Sequence, residues 1–278
     1  MRKFLSICLL VLIAALPAAA QDKKESAYER VMRTGTIKAG YSVWPPYQIK
    51  DPNTGEISGV AADHMKIFAN LLGLKVEWVE LPGVGTEVEE LKSGRCDVAV
   101  NDGPYVFSMI KFIDFADPLF YVPVHAYVRQ DNKRFHKLEE LNSPDVTFVG
   151  LDGDLSVSLV GLFYPKAKLR TLPATSDPSM MMTDINTGKA DVAIIDPGTV
   201  HNFNKNNKPG LSAFAPDAPV AVYPIGYGAM KDDGKLLAMI NSATAMMHNT
   251  NAVNPVLEKW IPEKDSYYFV AKPYEVPQ

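Results

Sequence analysis

Two ten-residue stretches carry the side chains best placed for chemistry. "SGRCDVAVND" (93–102) and "TGKADVAIID" (187–196) each pass from Gly through a basic residue into an apolar run that ends in Asp. Ligands of open α/β sheets collect at the carboxyl ends of strands, so the pattern points Asp102 and Asp196 at a shared cleft. Two ordinary α/β units would give the same likeness. A third carboxylate, Asp154, lies in "LDGDLS" just ahead of a helical pattern. It either caps that helix, using its free N–H groups, or turns toward the cleft. Trp44, before the Pro-Pro of "WPPY", offers a flat π face to a cation, with packing under a loop as its plain alternative; Tyr47 follows it. A positive group about 4 Å from a carboxylate in a partly buried cleft gains roughly 4 kcal/mol before desolvation. The chemistry is that of holding a cation. No Ser/His/Asp or Cys/His set stands at a recognisable spacing. The five histidines, His64, His125, His136, His201 and His248, are scattered and suggest no metal cluster. No metal and no cofactor are expected.

Alternating short strands and amphipathic helices must position these groups. "TIKAGYSV", "KVEWVEL", "CDVAV", "VTFVGL" and "ADVAIID" read as strands. "GEISG" reads as a turn, and Ser58 is placed to cap the helix "GVAADHMKIFANLLG", where Ala61, Met65, Phe68 and Leu72 share a face and Gly73 ends the pattern. "EVEELKSG", "SVSLVGLFYP" and "MMMTDINTG" read as further helices. In "DDGKLLAMINSATAMMH", Leu236, Ile240, Ala243 and Met247 line one side. The alternation predicts an α/β fold with mostly parallel strands.

The first residues read as a secretory signal peptide: Arg2 and Lys3, an apolar run from Phe4 to Leu16, then Ala18-Ala19-Ala20 as the cleavage site. The expected location is the periplasm. With Arg2 and Lys3 removed from the 28 basic residues, 26 face 32 acidic ones. An acidic chain with no basic run is a poor partner for nucleic acid or an anionic membrane surface. Cys96, the cysteine left after cleavage, makes no internal disulfide and reads as a small core residue.

"RTGTIKAGYSVWPPYQIKDPNTGEISGVAADHMKIFANLLGLKVEW", "LKSGRCDVAVNDGPYVFSMIKFIDFADPLFY", "INTGKADVAIIDPGTV" and "YPIGYGAMKDDGKLLAMINSATAMMHNTNAVNPVLEKWIP" together resemble the family-3 periplasmic solute-binding proteins, the amino-acid receptors of ABC importers. The likeness runs over nearly all of residues 30 to 262. It implies a type 2 periplasmic binding protein fold, α/β, with two lobes joined by a hinge of two crossing segments. Lobe 1 is placed at 22–121 and 229–278, lobe 2 at 128–221, and the hinge at 122–128 and 220–228. A small solute would be captured between the lobes by hinge closure, and a membrane permease would recognise the closed form of a monomer.

The resemblance also assigns ligand-site positions: Trp44, Tyr47, Asp102, Tyr105, Met109, Asp154 and Asp196. Trp44 would lie against the ligand, and Val84 stands where the family often has a second ring. Met109 falls where the family carries the Arg that clamps a carboxylate. Val106 and Ser108 replace the Thr and Glu before it, and Lys111 falls on the outward side of the turn. Asp154 and Leu155 fill a Gly-Ser/Thr turn, and Asp196 matches an acidic residue that meets an α-ammonium. A thioether cannot replace a bidentate guanidinium. With three uncompensated carboxylates and no anion clamp, the implied solute is a small polar one, an amine or another cation ahead of an amino-acid-like ligand, whose carboxylate backbone amides could still take. Two other roles of the fold stay open: an accessory protein of a periplasmic quinoprotein dehydrogenase, and a cyclohexadienyl dehydratase-like enzyme, which the lost Arg disfavours. The tail "YYFVAKPYEVPQ" lies beyond the resemblance.

Overall fold

The structure is a computed structural model that describes residues 25–103 and 109–271. Its elements run α1 (Ala27–Thr34), β1 (Thr36–Tyr41), β2 (Ile49–Lys50), β3 (Ile57–Ser58), α2 (Val60–Leu72), β4 (Lys75–Glu80), α3 (Glu87–Ser93), β5 (Val98–Asp102), β6 (Ile113–Phe115) and β7 (Phe120–Arg129). They continue with β8 (Thr147–Leu151), α4 (Leu155–Phe163), β9 (Lys168–Leu172), α5 (Ser179–Asn186), β10 (Val192–Ile195), α6 (Pro197–Asn204), β11 (Leu211–Ala213), β12 (Ala221–Met230), α7 (Gly234–Asn249), α8 (Asn254–Trp260) and β13 (Tyr268–Phe269). The main sheet has the order β4-β1-β5-β12-β7-β10-β8-β9.

That order reads the same way from either end. β5 lies between parallel β1 and antiparallel β12, and β10 lies between parallel β8 and antiparallel β7. The two similar sequence stretches therefore occupy equivalent places in two halves. The long strands β7 and β12 pair with each other over 120–124 and 221–225, then part. Beyond that point β12 joins β5 and β6, while β7 joins β10 and β11.

Hydrophobic burial separates the halves in the same way. One core gathers Ile37, Met65, Phe68, Phe120 and Tyr227 with the α7 face. In the second half, Phe148, Leu159 and Val192 pack on one side of the sheet, and Val149, Met181 and Ile195 on the other. Leu236, Ile240, Ala243 and Met247 are all buried, as their spacing predicts. Cys96 is buried beside Leu81, Ala99 and Met109.

Two local expectations are corrected. Ile57 and Ser58 form a short strand paired with Ile49 and Lys50 rather than a bare turn. Ser58 does not cap α2: the cap position is Gly59, with no side-chain bond to the helix. The backbone requires glycine there, because φ is +105° and a Cβ would stand 2.6 Å from the Tyr47 carbonyl and 2.8 Å from that of Pro46. Ala61 N donates to the same Tyr47 carbonyl at 2.9 Å, so the helix start holds the loop that carries Trp44 and Tyr47. Gly59→Ala is expected to cost about 2 kcal/mol or more of unfolding free energy; urea denaturation at neutral pH measures it.

Candidate functional site

A cavity of about 150 Å³ lies between the halves. Its walls are mainly aliphatic, with Leu81, Val84, Val100, Met109, Ile194 and Ile225 among them. Glu87, Asp154 and Asp196 reach it, and no Lys, Arg or His does so among the described residues.

Asp196 follows β10 and caps α6 from the second half. Its Oδ1 accepts from the Thr199 backbone N–H at 2.7 Å and from the Tyr47 hydroxyl at 2.9 Å. Its Oδ2 accepts from the Thr199 hydroxyl at 2.7 Å. The Thr199 oxygen in turn accepts from the Trp44 indole N–H at 2.8 Å. Trp44 and Tyr47 come from the first half, so this chain of bonds ties the two halves together across the cleft. Tyr47 is buried and stacks on Phe120. Asp196 is only 7% exposed, and burial raises its pKa although the three donors pull it down. Asp196 is thus not the uncompensated carboxylate that the sequence suggested.

Asp154 caps α4, so the capping alternative holds, and it also lines the cavity. Its Oδ2 accepts from the Ser156 hydroxyl at 2.6 Å and the Ser156 N–H at 3.2 Å. Burial raises its pKa most, and the charge of Asp196 adds to the rise. Asp154 too has protein donors, which corrects the second of the three.

Met109 is 4% exposed, lines the cavity and packs with Leu81, Leu91, Cys96 and Ile113. Lys111 is exposed and does not line the cavity. Val84 lines it, and its N–H donates to the Ala174 carbonyl of the other half at 3.3 Å. Beside it a Cβ on Gly85 would lie 3.1 Å from the Gly153 Cα, so glycine lets the two loops meet. Asp102 ends β5 with its backbone opposite Gly226. Tyr105, with Val106 and Ser108, lies outside the described residues.

Sequence reasoning missed Glu87, the first residue of α3, because "EVEELKSG" reads as one more charged helix. The Gly85–Gly153 approach places it in the cavity wall. Its Oε2 is buried with no hydrogen-bond partner. Burial raises its pKa most, and the charges of Glu89 and Asp154 raise it further. Thr199 was missed as well; its position three residues after a strand-ending Asp was the available signal.

A family model for bacterial extracellular solute-binding proteins, family 3, matches residues 37–263. The chain belongs to that family. Its fold is the two-lobe type 2 periplasmic binding protein fold. A solved ancestral amino acid-binding protein, described as a precursor of cyclohexadienyl dehydratase, is 26% identical with a TM-score of 0.73, covering 85% of this chain and 99% of that one. A structure described as an ancestral cationic amino acid solute binding protein is also 26% identical, with a TM-score of 0.63 and coverage of 85% and 100%. A mutant of ArgBP from T. maritima shares the fold at 23% identity and a TM-score of 0.73, covering 85% of this chain and 100% of that one. A search among curated proteins gives no match.

Two outcomes are expected from this geometry. Tyr47→Phe deletes a donor to a buried carboxylate and should lower stability by about 2 kcal/mol, with small-angle scattering showing a larger radius for the empty protein as the lobes part. Glu87 takes up its proton more readily folded than unfolded, so stability falls as pH rises from the ordinary carboxylate range through its raised pKa. Glu87→Gln should therefore raise the melting temperature little at pH 4 and clearly at pH 7, read by calorimetry across pH.

Proposed function

We propose that the protein is the periplasmic solute-binding component of an ABC importer and that it captures a small amine or other cation between its lobes. One observation carries this reading: an apolar cavity into which three acidic residues and no basic ones reach among the described residues. A buried charge is costly unless it is paired, so such a cavity rewards a positive guest and penalises a carboxylate. Met109 supports the same choice, since it supplies only apolar contact where relatives clamp an acid group. The likeness to a cationic amino acid binding protein is in keeping with a positive ligand. The ligand-site set then comprises Trp44, Tyr47, Asp102, Met109, Asp154 and Asp196, with Glu87 added; Tyr105, outside the described residues, stays part of the reading.

Closure would turn on the hinge segments 122–128 and 220–228, where β7 and β12 exchange one partner for another. A ligand that touches both lobes favours the closed form by its difference in affinity for the two, and an inner-membrane permease would receive that form from a monomer. A cavity between the lobes, lined mainly by aliphatic side chains, supports capture of a solute over service as an accessory surface of a dehydrogenase. We read the protein as a binder without catalysis.

A thermal-shift panel tests the reading. n-Pentylamine, cyclohexylamine and putrescine at a hundred times their dissociation constants should each add about 2.7 kcal/mol, and L-leucine should add nothing. A shift with L-leucine and none with the amines would reverse the assignment of charge.

A further inference from the structure

Resting on the amine reading, we infer that the seat of the positive group is the gap between Glu87 of lobe 1 and Asp154 of lobe 2, and that Asp196 serves instead as the buried latch between the lobes. The acceptor sites of Asp196 are largely spent. Three donors from Tyr47 and Thr199 converge on its two oxygens, and each is shorter than 3.0 Å. A ligand ammonium placed there would compete with a bond that already joins the lobes.

Glu87 is in the opposite condition. Its Oε2 is closed off from solvent and has no partner, at the wall of the cavity. The meeting of Gly85 with Gly153 brings the chain on either side of the cleft together at this point. Glu87 follows Gly85 by two residues and Asp154 follows Gly153 directly, so closure carries one carboxylate from each lobe toward the other. The charge of Asp154 acts unfavourably on that of Glu87. Asp154 keeps its Ser156 bonds on Oδ2 alone. Backbone N–H groups of Gly85 and Glu87 already serve part of the Glu87 carboxylate, and a monovalent ammonium between the two acids would supply Oε2 with the donor that it lacks and replace repulsion across the cleft by attraction. The aliphatic walls then suit an alkyl or alicyclic body and leave nothing for an acid group. Closure becomes conditional on charge: the same two carboxylates oppose it without a cation and favour it with one.

Titration calorimetry with n-pentylamine on the full chain tests this, with melting of the empty protein alongside. Wild-type protein should bind. Glu87→Gln should weaken binding at least 30-fold while raising the melting temperature of the empty protein at neutral pH, a gain that a merely structural residue would not show. Asp154→Glu, which keeps the charge, should retain measurable binding. Binding to Glu87→Gln at wild-type strength overturns the seat and leaves the amine receptor standing. Failure of wild-type protein to bind n-pentylamine, cyclohexylamine or putrescine overturns the seat together with the amine reading. Weakened binding with a lowered melting temperature of empty Glu87→Gln also overturns it, since the side chain would then be a support of the fold.

Discussion

A carboxylate removed from water must find donors or a cation, and the interior of this protein is arranged around that requirement. Asp196 meets it with donors, drawing Tyr47 from one lobe and Thr199 from its own helix. Because Thr199 also receives the Trp44 indole N–H, the satisfaction of one buried acid fixes two aromatic side chains of the opposite lobe. Glu87 meets it only in part: backbone N–H groups of Gly85 and Glu87 hold its pKa down, and Oε2 has no partner. The cleft thus contains two acids with side-chain donors, Asp154 and Asp196, and a third, Glu87, with an oxygen left over, and the contrast gives the cavity its preference.

The sequence was legible where burial follows period. The α7 face, the α2 face and the strands ending in Asp102 and Asp196 are all in place, since spacing alone decides which residues of a helix or strand share a side. The likeness of the two strand-ending stretches was legible too, and the symmetric strand order explains it.

What failed to show was anything set by long-range approach. Tyr47 and Asp196 stand 149 positions apart, so their bond leaves no local pattern. Glu87 sits in a run of charges that any solvated helix would display, and its place in the cavity wall, two residues from the close approach of Gly85 to Gly153, leaves no local pattern. Ser58 failed as a cap for a related reason: the chain before α2 turns through a conformation that only glycine at 59 adopts easily, and this leaves the serine in a strand.

The tail strand β13 lies beyond the family match and pairs with β7 at Tyr121 and Phe120, on the edge that β12 leaves open. Further along, β10 covers that same edge, while β11 lies on the edge that β12 takes. A bare strand edge is a template on which another chain can add itself. By occupying the start of β7, Tyr268 and Phe269 act as a selvedge, keeping one of the two longest described strands from being stitched to a neighbouring copy.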